Sequence, residues 1–109
     1  MKVKNRIKDS REFQLTFKTG TKISSNTLNL YYLKNDLGYV RFGISVPTKS
    51  GNAVIRNKIK RQIRALIAKH ANLDQSIDVV LLVRKAYSIE EFSKTEEDLI
   101  NLLKKVGNI

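Results

Sequence analysis

Apolar residues recur at different spacings along the chain, and each spacing marks an element. Asp9 and Glu12 stand as in a capping box, Phe13 and Phe17 follow one helical turn apart, and Gly20 is placed to close the segment in a left-handed conformation. This predicts a short first helix. From Thr27 to Leu33 the pattern changes to alternation, with Leu28, Leu30 and Tyr32 on one face and Asn29, Tyr31 and Leu33 on the other, as in a strand. Beyond a turn around Asn35, Asp36 and Gly38, the residues Val40, Phe42, Ile44 and Val46 alternate with Arg41, Gly43 and Ser45. The two strands are expected to pair as an antiparallel hairpin with one polar face.

Pro47 ends the second strand, and Ser50 or Asn52 can cap a helix running to about Lys69, with Ile55, Ile59, Ile63, Leu66 and Ile67 at helical spacing. Ile77 to Val83 is almost continuously apolar, the pattern of a strand covered on both faces and paired in the interior of a sheet. A helix between it and the preceding strand suggests a crossover. Ser88 and Glu91 form a second capping box ahead of Phe92, Leu99, Leu102, Leu103 and Val106, with Lys104 and Lys105 suited to the negative helix end. The expected order is α-β-β-α-β-α, an α/β sandwich of helices on a small mixed sheet. Without repeats, low-complexity stretches or a Pro/Gly-rich linker, residues 1–109 read as one domain.

Charge changes this picture from a fold to a partner. Twenty-one Lys and Arg against ten Asp and Glu give +11, which points to a polyanion: RNA, DNA or an anionic membrane surface. The surplus is local, since residues 1–70 hold sixteen basic and three acidic side chains while 71–109 hold five and seven. The absence of cysteine removes disulfides, thiolate metal sites and cysteine nucleophiles, and one histidine cannot make a His-based metal cluster. No apolar run approaches the roughly 20 residues of a membrane span, and the polar start Met1-Lys2-Val3-Lys4-Asn5-Arg6 lacks a signal-peptide core. The chain reads as soluble and cytoplasmic.

Within the middle helix, the isoleucine stripe lies opposite Asn57, Lys60, Arg61 and Arg64, with Arg56 and Lys58 on its flanks, and no acidic residue occurs between Gly51 and His70. A solubilising face mixes signs to gain i,i+4 pairs, whereas five like charges within three turns repel one another. Phosphates would neutralise them, with release of counterions. Phe13 and Phe17 can pack a helix on a sheet, or, with Tyr31 beside Asn29, Arg41 and Ser45, offer platforms for unpaired bases. His70 reads as an end-of-helix cation or hydrogen-bonder. No Gly-rich phosphate loop, nucleophile–base pair or acidic cluster in the basic half stands out. A binding module is favoured over a self-sufficient enzyme.

The segment Gly51-Asn52-Ala53-Val54-Ile55-Arg56-Asn57-Lys58-Ile59-Lys60-Arg61-Gln62-Ile63-Arg64 closely resembles the signature helix of bacterial ribonuclease P proteins, in which Arg-Asn-Arg is followed by Lys-Arg and another Arg. The resemblance extends to the basic start, the Phe-x-x-x-Phe-Lys-x-Gly stretch at 13–20, the Tyr31 strand and the closing strand and helix. It implies that Arg56, Asn57, Lys58, Lys60, Arg61 and Arg64 contact a catalytic RNA. It also implies that Phe13, Phe17 and Tyr31 line a cleft for the single-stranded 5′ leader of precursor tRNA, and that the fold has a left-handed β-α-β crossover, against the usual hand. In the family the RNA carries out Mg²⁺-dependent hydrolysis, so no catalytic or metal-binding residue and no further protein partner is expected here. Lys58 stands where the family has a second Arg, keeping the charge without the guanidinium fork, and Pro47 and Thr48 replace a more basic stretch. The competing readings are a ribosomal or other structural RNA-binding protein, a nuclease acting alone, and a DNA-binding module.

Overall fold

The computed structural model describes residues 2–107; Met1 of the basic start and the last two residues of the expected domain lie outside the described residues. Helix α1 spans Ser10–Thr19, followed by strands β1 (Thr21–Ser24), β2 (Leu28–Lys34) and β3 (Arg41–Ser45), helix α2 (Ala53–His70), strand β4 (Ile77–Val83) and helix α3 (Phe92–Val106). The sheet order is β1-β2-β4-β3, with β1/β2 and β2/β4 antiparallel and β3/β4 parallel. Strand β4 is central because it is apolar on both faces: Val79, Leu81 and Val83 point one way and Val80 the other, all 2% exposed or less.

This order corrects the expected hairpin. Strands β2 and β3 do not pair, because β4 lies between them, and local alternation in two strands does not specify which strand becomes the neighbour of which. Their connection rides over the start of β4 instead, where Asn35 Nδ2 donates to Asp78 Oδ1 (2.8 Å) and the Gly38 amide donates to Ser76 Oγ (2.8 Å). Strand β1 has no counterpart in the expected order. Thr-Lys-Ile-Ser is too short and polar to show periodicity, and its exposed Lys22 suits an edge. The element order is therefore α-β-β-β-α-β-α, with β3-α2-β4 forming the crossover.

On one sheet face, Leu28, Leu30, Phe42, Val79 and Leu81 meet Ile59, Ile63, Leu66 and Ile67 of α2 and Leu99, Leu102 and Leu103 of α3. Helix α1 covers the other face. Its start agrees with the sequence in part: Asp9 caps it by accepting from the Arg11 amide at 2.7 Å, but Glu12 turns to Arg41 instead of completing the box. Gly20 is not left-handed but extended (φ −71°, ψ 163°), because the chain passes directly into β1. Glycine is needed there for space: a Cβ would lie 2.5 Å from the Thr16 carbonyl oxygen and 2.7 Å from that of Tyr32. The second capping box is also absent, since α3 begins at Phe92 with no side-chain cap, Ser88 sits in a preceding turn, and the Glu91 carboxylate pairs with Lys94 at 2.6 Å.

Candidate nucleic-acid interface

Helix α2 forms as its spacing predicts, with Asn52 as the cap accepting from the Ile55 amide at 3.0 Å. Burying Ile59, Ile63, Leu66 and Ile67 fixes its rotation, so the opposite face must turn outward. Asn57, Lys58 and Arg61 are exposed there, and Arg56, Lys60 and Arg64 are half-buried. Val54, Asn57, Arg61 and Arg64 line a shallow open groove on this face. Among the described residues, none of the five cations Arg56, Lys58, Lys60, Arg61 and Arg64 has a carboxylate within ion-pair distance. Arg56 Nε is moreover buried without a hydrogen-bond partner. The end of the same helix is different: Glu96 of α3 takes Lys69 at 3.2 Å and His70 Nε2 at 2.7 Å. His70 is thus the hydrogen-bonding helix end expected, and its bond, with that of Lys69, holds the Glu96 carboxyl below the usual range.

The aromatic residues assemble on the opposite face of the sheet. Phe17 stacks on Tyr31 with ring centroids 4.6 Å apart and planes at 30°, and Lys22 Nζ lies 5.9 Å from the Tyr31 centroid. One turn earlier, Phe13 rests on Gly43, where a Cβ would come within 2.6 Å of the ring. This face is drier than Asn29 and Arg41 suggested. Tyr31 is only 9% exposed beneath Phe17, so Phe17, itself half-buried, presents the outer ring. The wetter end is the next cross-strand row, Ser24, Asn29, Leu82 and Ser45, where Asn29 Oδ1 is buried without a partner.

Arg41, read from the sequence as part of the wet face, does something else. Its Nε and Nη2 donate to the two Asp78 oxygens at 2.9 and 2.6 Å, and Nη2 and Nη1 reach the two Glu12 oxygens at 2.6 and 3.3 Å. Bonding to Asp78 first, and Glu12 second, raises the guanidinium pKa further above its ordinary value against the opposing effect of burial. The fork ties α1 to β3 and β4 and so fixes where Phe13 and Phe17 stand over the sheet. Sequence reasoning missed this group because its members lie 29 and 37 positions apart. Among the described residues no three His, Cys, Asp or Glu side chains converge as a group that could hold a metal ion.

Cations left unneutralised on one helix, and stacked aromatic rings on the far side of the sheet, are what the geometry of this α/β protein sets apart. The ribonuclease P family profile matches residues 1–107. The "Ribonuclease P protein component" of Streptococcus agalactiae is 37% identical over 109 residues, 100% of both chains. The solved RNase P protein of Thermotoga maritima superposes with a TM-score of 0.81 at 34% identity, over 92% of this chain and 96% of that one. The protein from Staphylococcus aureus gives 0.79 at 31%, over 95% and 96%. The chain belongs to the ribonuclease P protein family. It is therefore the protein subunit of a ribonucleoprotein that cleaves precursor tRNA, in which catalysis lies with the RNA.

Proposed function

We propose that α2 docks this subunit on the catalytic RNA through Arg56, Asn57, Lys58, Lys60, Arg61 and Arg64, while Phe13, Phe17 and Tyr31 receive the single-stranded 5′ leader of precursor tRNA. The observation that carries the first half is the contrast within one helix: Lys69 and His70 are neutralised by Glu96, and the five signature cations are left for an external anion. The second half rests on the Phe17–Tyr31 stack with Lys22 beside it, an aromatic platform next to a cation that can meet a phosphate. Magnesium on this reading is held by the RNA subunit and the substrate, and the complex works in the cytoplasm. The protein side contributes binding and orientation of the leader, and the charge that lets two polyanions approach.

The test is reconstitution of precursor tRNA cleavage with the cognate catalytic RNA at low Mg²⁺. Phe17→Ala and Tyr31→Ala are expected to weaken precursor binding by the assembled enzyme by about 1–3 kcal/mol each, the scale of a missing stacking platform, and to leave leaderless tRNA little changed. Thermal stability is measured on the same samples. A folded variant that loses equal affinity for precursor and leaderless tRNA would show that the rings serve packing alone.

A further inference from the structure

A cavity of about 340 Å³ opens beside the amino end of β3, where the basic start of the chain meets the loop that follows α2. It is lined by Lys2, Lys4 and Asn5 from the start, by Tyr39 from the turn before β3, and by Leu73 and Asp74 from the loop. None of these six residues belongs to α2 or to the Phe17–Tyr31 stack.

Hydrogen bonds hold these walls together. The Val40 amide donates to the Leu73 carbonyl at 2.9 Å, and the Asn5 side chain, 2% exposed as a residue, donates from Nδ2 to the Val40 carbonyl at 2.7 Å, so all three segments meet at one residue. The Ile7 amide then donates to the Phe42 carbonyl at 3.0 Å, which lays the basic start along the edge of β3. Leu73 packs against the core, and Lys4 Nζ lies 4.8 Å from the centroid of the half-buried Tyr39 ring. The charges do not neutralise one another. Among the described residues Lys2, Lys4 and Asp74 have no ion-pair partner, although all three line the same cavity.

We propose that this cavity binds a guanine nucleotide, the base against Tyr39 and Leu73 with its Watson–Crick edge on the Asp74 carboxylate, and the 5′-phosphate on Lys2 and Lys4. The volume sits at the low end of ligand pockets, enough for a single nucleotide. An ionised carboxylate only accepts hydrogen bonds, so it selects an edge that carries donors side by side. Among the four bases guanine has such an edge, its ring N–H next to its amino group, and the resulting pair of bonds to one carboxylate is charge-assisted. Adenine and cytosine place an acceptor beside their amino group, and uracil places its N–H between two carbonyls. A bare anion is disfavoured, because Asp74 repels it where the base would sit. The Tyr39 ring supplies a stacking surface, and a base there takes the place of the Lys4 ammonium and releases it to the phosphate. The same chemistry serves a free nucleotide and an unpaired guanosine of a bound RNA. The site does not rest on the roles given to the α2 cations or to the Phe17–Tyr31 stack.

The free protein, labelled with ¹⁵N, is titrated with guanosine 5′-monophosphate, with adenosine 5′-monophosphate and with inorganic phosphate. Saturable amide shifts are expected at Lys4, Tyr39 and Asp74 with the guanosine monophosphate, with the other two probes each binding at least tenfold more weakly. Asp74→Asn should lose at least tenfold in affinity for guanosine monophosphate and gain affinity for xanthosine 5′-monophosphate, because xanthine carries a carbonyl where guanine carries its amino group and a carboxamide can donate to it. Asp74 is exposed, so a change in folding would not produce that exchange of ligands. In the assembled enzyme, guanosine monophosphate that binds as it does to the free protein identifies a free nucleotide as the occupant. A site closed to it there, with at least a fivefold loss of affinity for catalytic RNA or precursor tRNA in the Asp74→Asn variant, identifies an RNA guanosine. Equal binding of the two monophosphates, shifts confined to Phe17, Tyr31 or the outer face of α2, an Asp74→Asn variant that binds guanosine monophosphate like the parent, or a closed site at which Asp74→Asn leaves both RNA affinities unchanged would each overturn the proposal. The aromatic-cleft and α2 assignments would survive any of these, because leader-length dependence and α2 substitutions test them separately.

Discussion

Arg41 is the residue whose removal the structure predicts most sharply. Its guanidinium is 14% exposed and its partner Asp78 is 6% exposed as a residue, whereas the Glu12 side chain is 46% exposed. Arg41→Ala therefore leaves a buried carboxylate with one remaining side-chain partner, Asn35 Nδ2 at 2.8 Å. Removing one member of a buried pair costs about 3–5 kcal/mol, against a total stability of roughly 5–15 kcal/mol for a domain of this kind. The expected fall in Tm is at least ~12 °C, taking about 4 °C per kcal/mol for a small domain. Glu12→Gln breaks the exposed half of the same fork and should cost no more than about 1 kcal/mol. Because most of the Arg41→Ala penalty is the stranded Asp78 charge, adding Asp78→Asn should restore about 1–3 kcal/mol. Urea unfolding followed by circular dichroism gives all four values, provided the slopes match. An Arg41→Ala variant that loses less than about 1 kcal/mol, or a double variant no more stable than the single, would refute the assignment of Arg41 as the tie between α1 and the sheet.

Lys60→Ala and Arg64→Ala should weaken binding to the catalytic RNA at unchanged Tm, and the logarithmic salt slope should become shallower by roughly 0.7–0.9 for each phosphate no longer neutralised; identical slopes in both variants would move the RNA surface off α2. Gly20→Ala should destabilise by about 1–3 kcal/mol, since its Cβ meets two backbone carbonyl oxygens that cannot swing away, and chemical denaturation within about 0.5 kcal/mol of the parent would contradict that crowding. The Glu96 carboxyl is held below its usual 4.5 by His70 and then Lys69, so its contribution to stability is present above pH 4.5 and is lost as the pH falls through the lowered value. The gap in Tm between parent and Glu96→Gln should accordingly close on acidification below pH 4.5, and a gap that widens there would reverse the sign.

Short-range physics made much of this protein legible from its residues in order. The isoleucine stripe at 55, 59, 63 and 67 set the rotation of α2 and hence the outward cations, because a helix buries whatever recurs at its own period. The unbroken apolar run at 77–83 placed β4 inside the sheet for the same reason. What escaped was decided by interactions between distant parts of the chain. Which strand lies beside β2, the extended rather than left-handed Gly20, and the turning of Glu12 from its own helix end to Arg41 all depend on groups that meet only after the sheet has closed. Strand β1 is the limiting case, four residues with a single apolar side chain, made a strand by the backbone of β2 rather than by any pattern of its own. The burial of Tyr31 follows likewise, since alternation assigns a residue to a sheet face, and only the packing of α1 determines how much of that face stays wet.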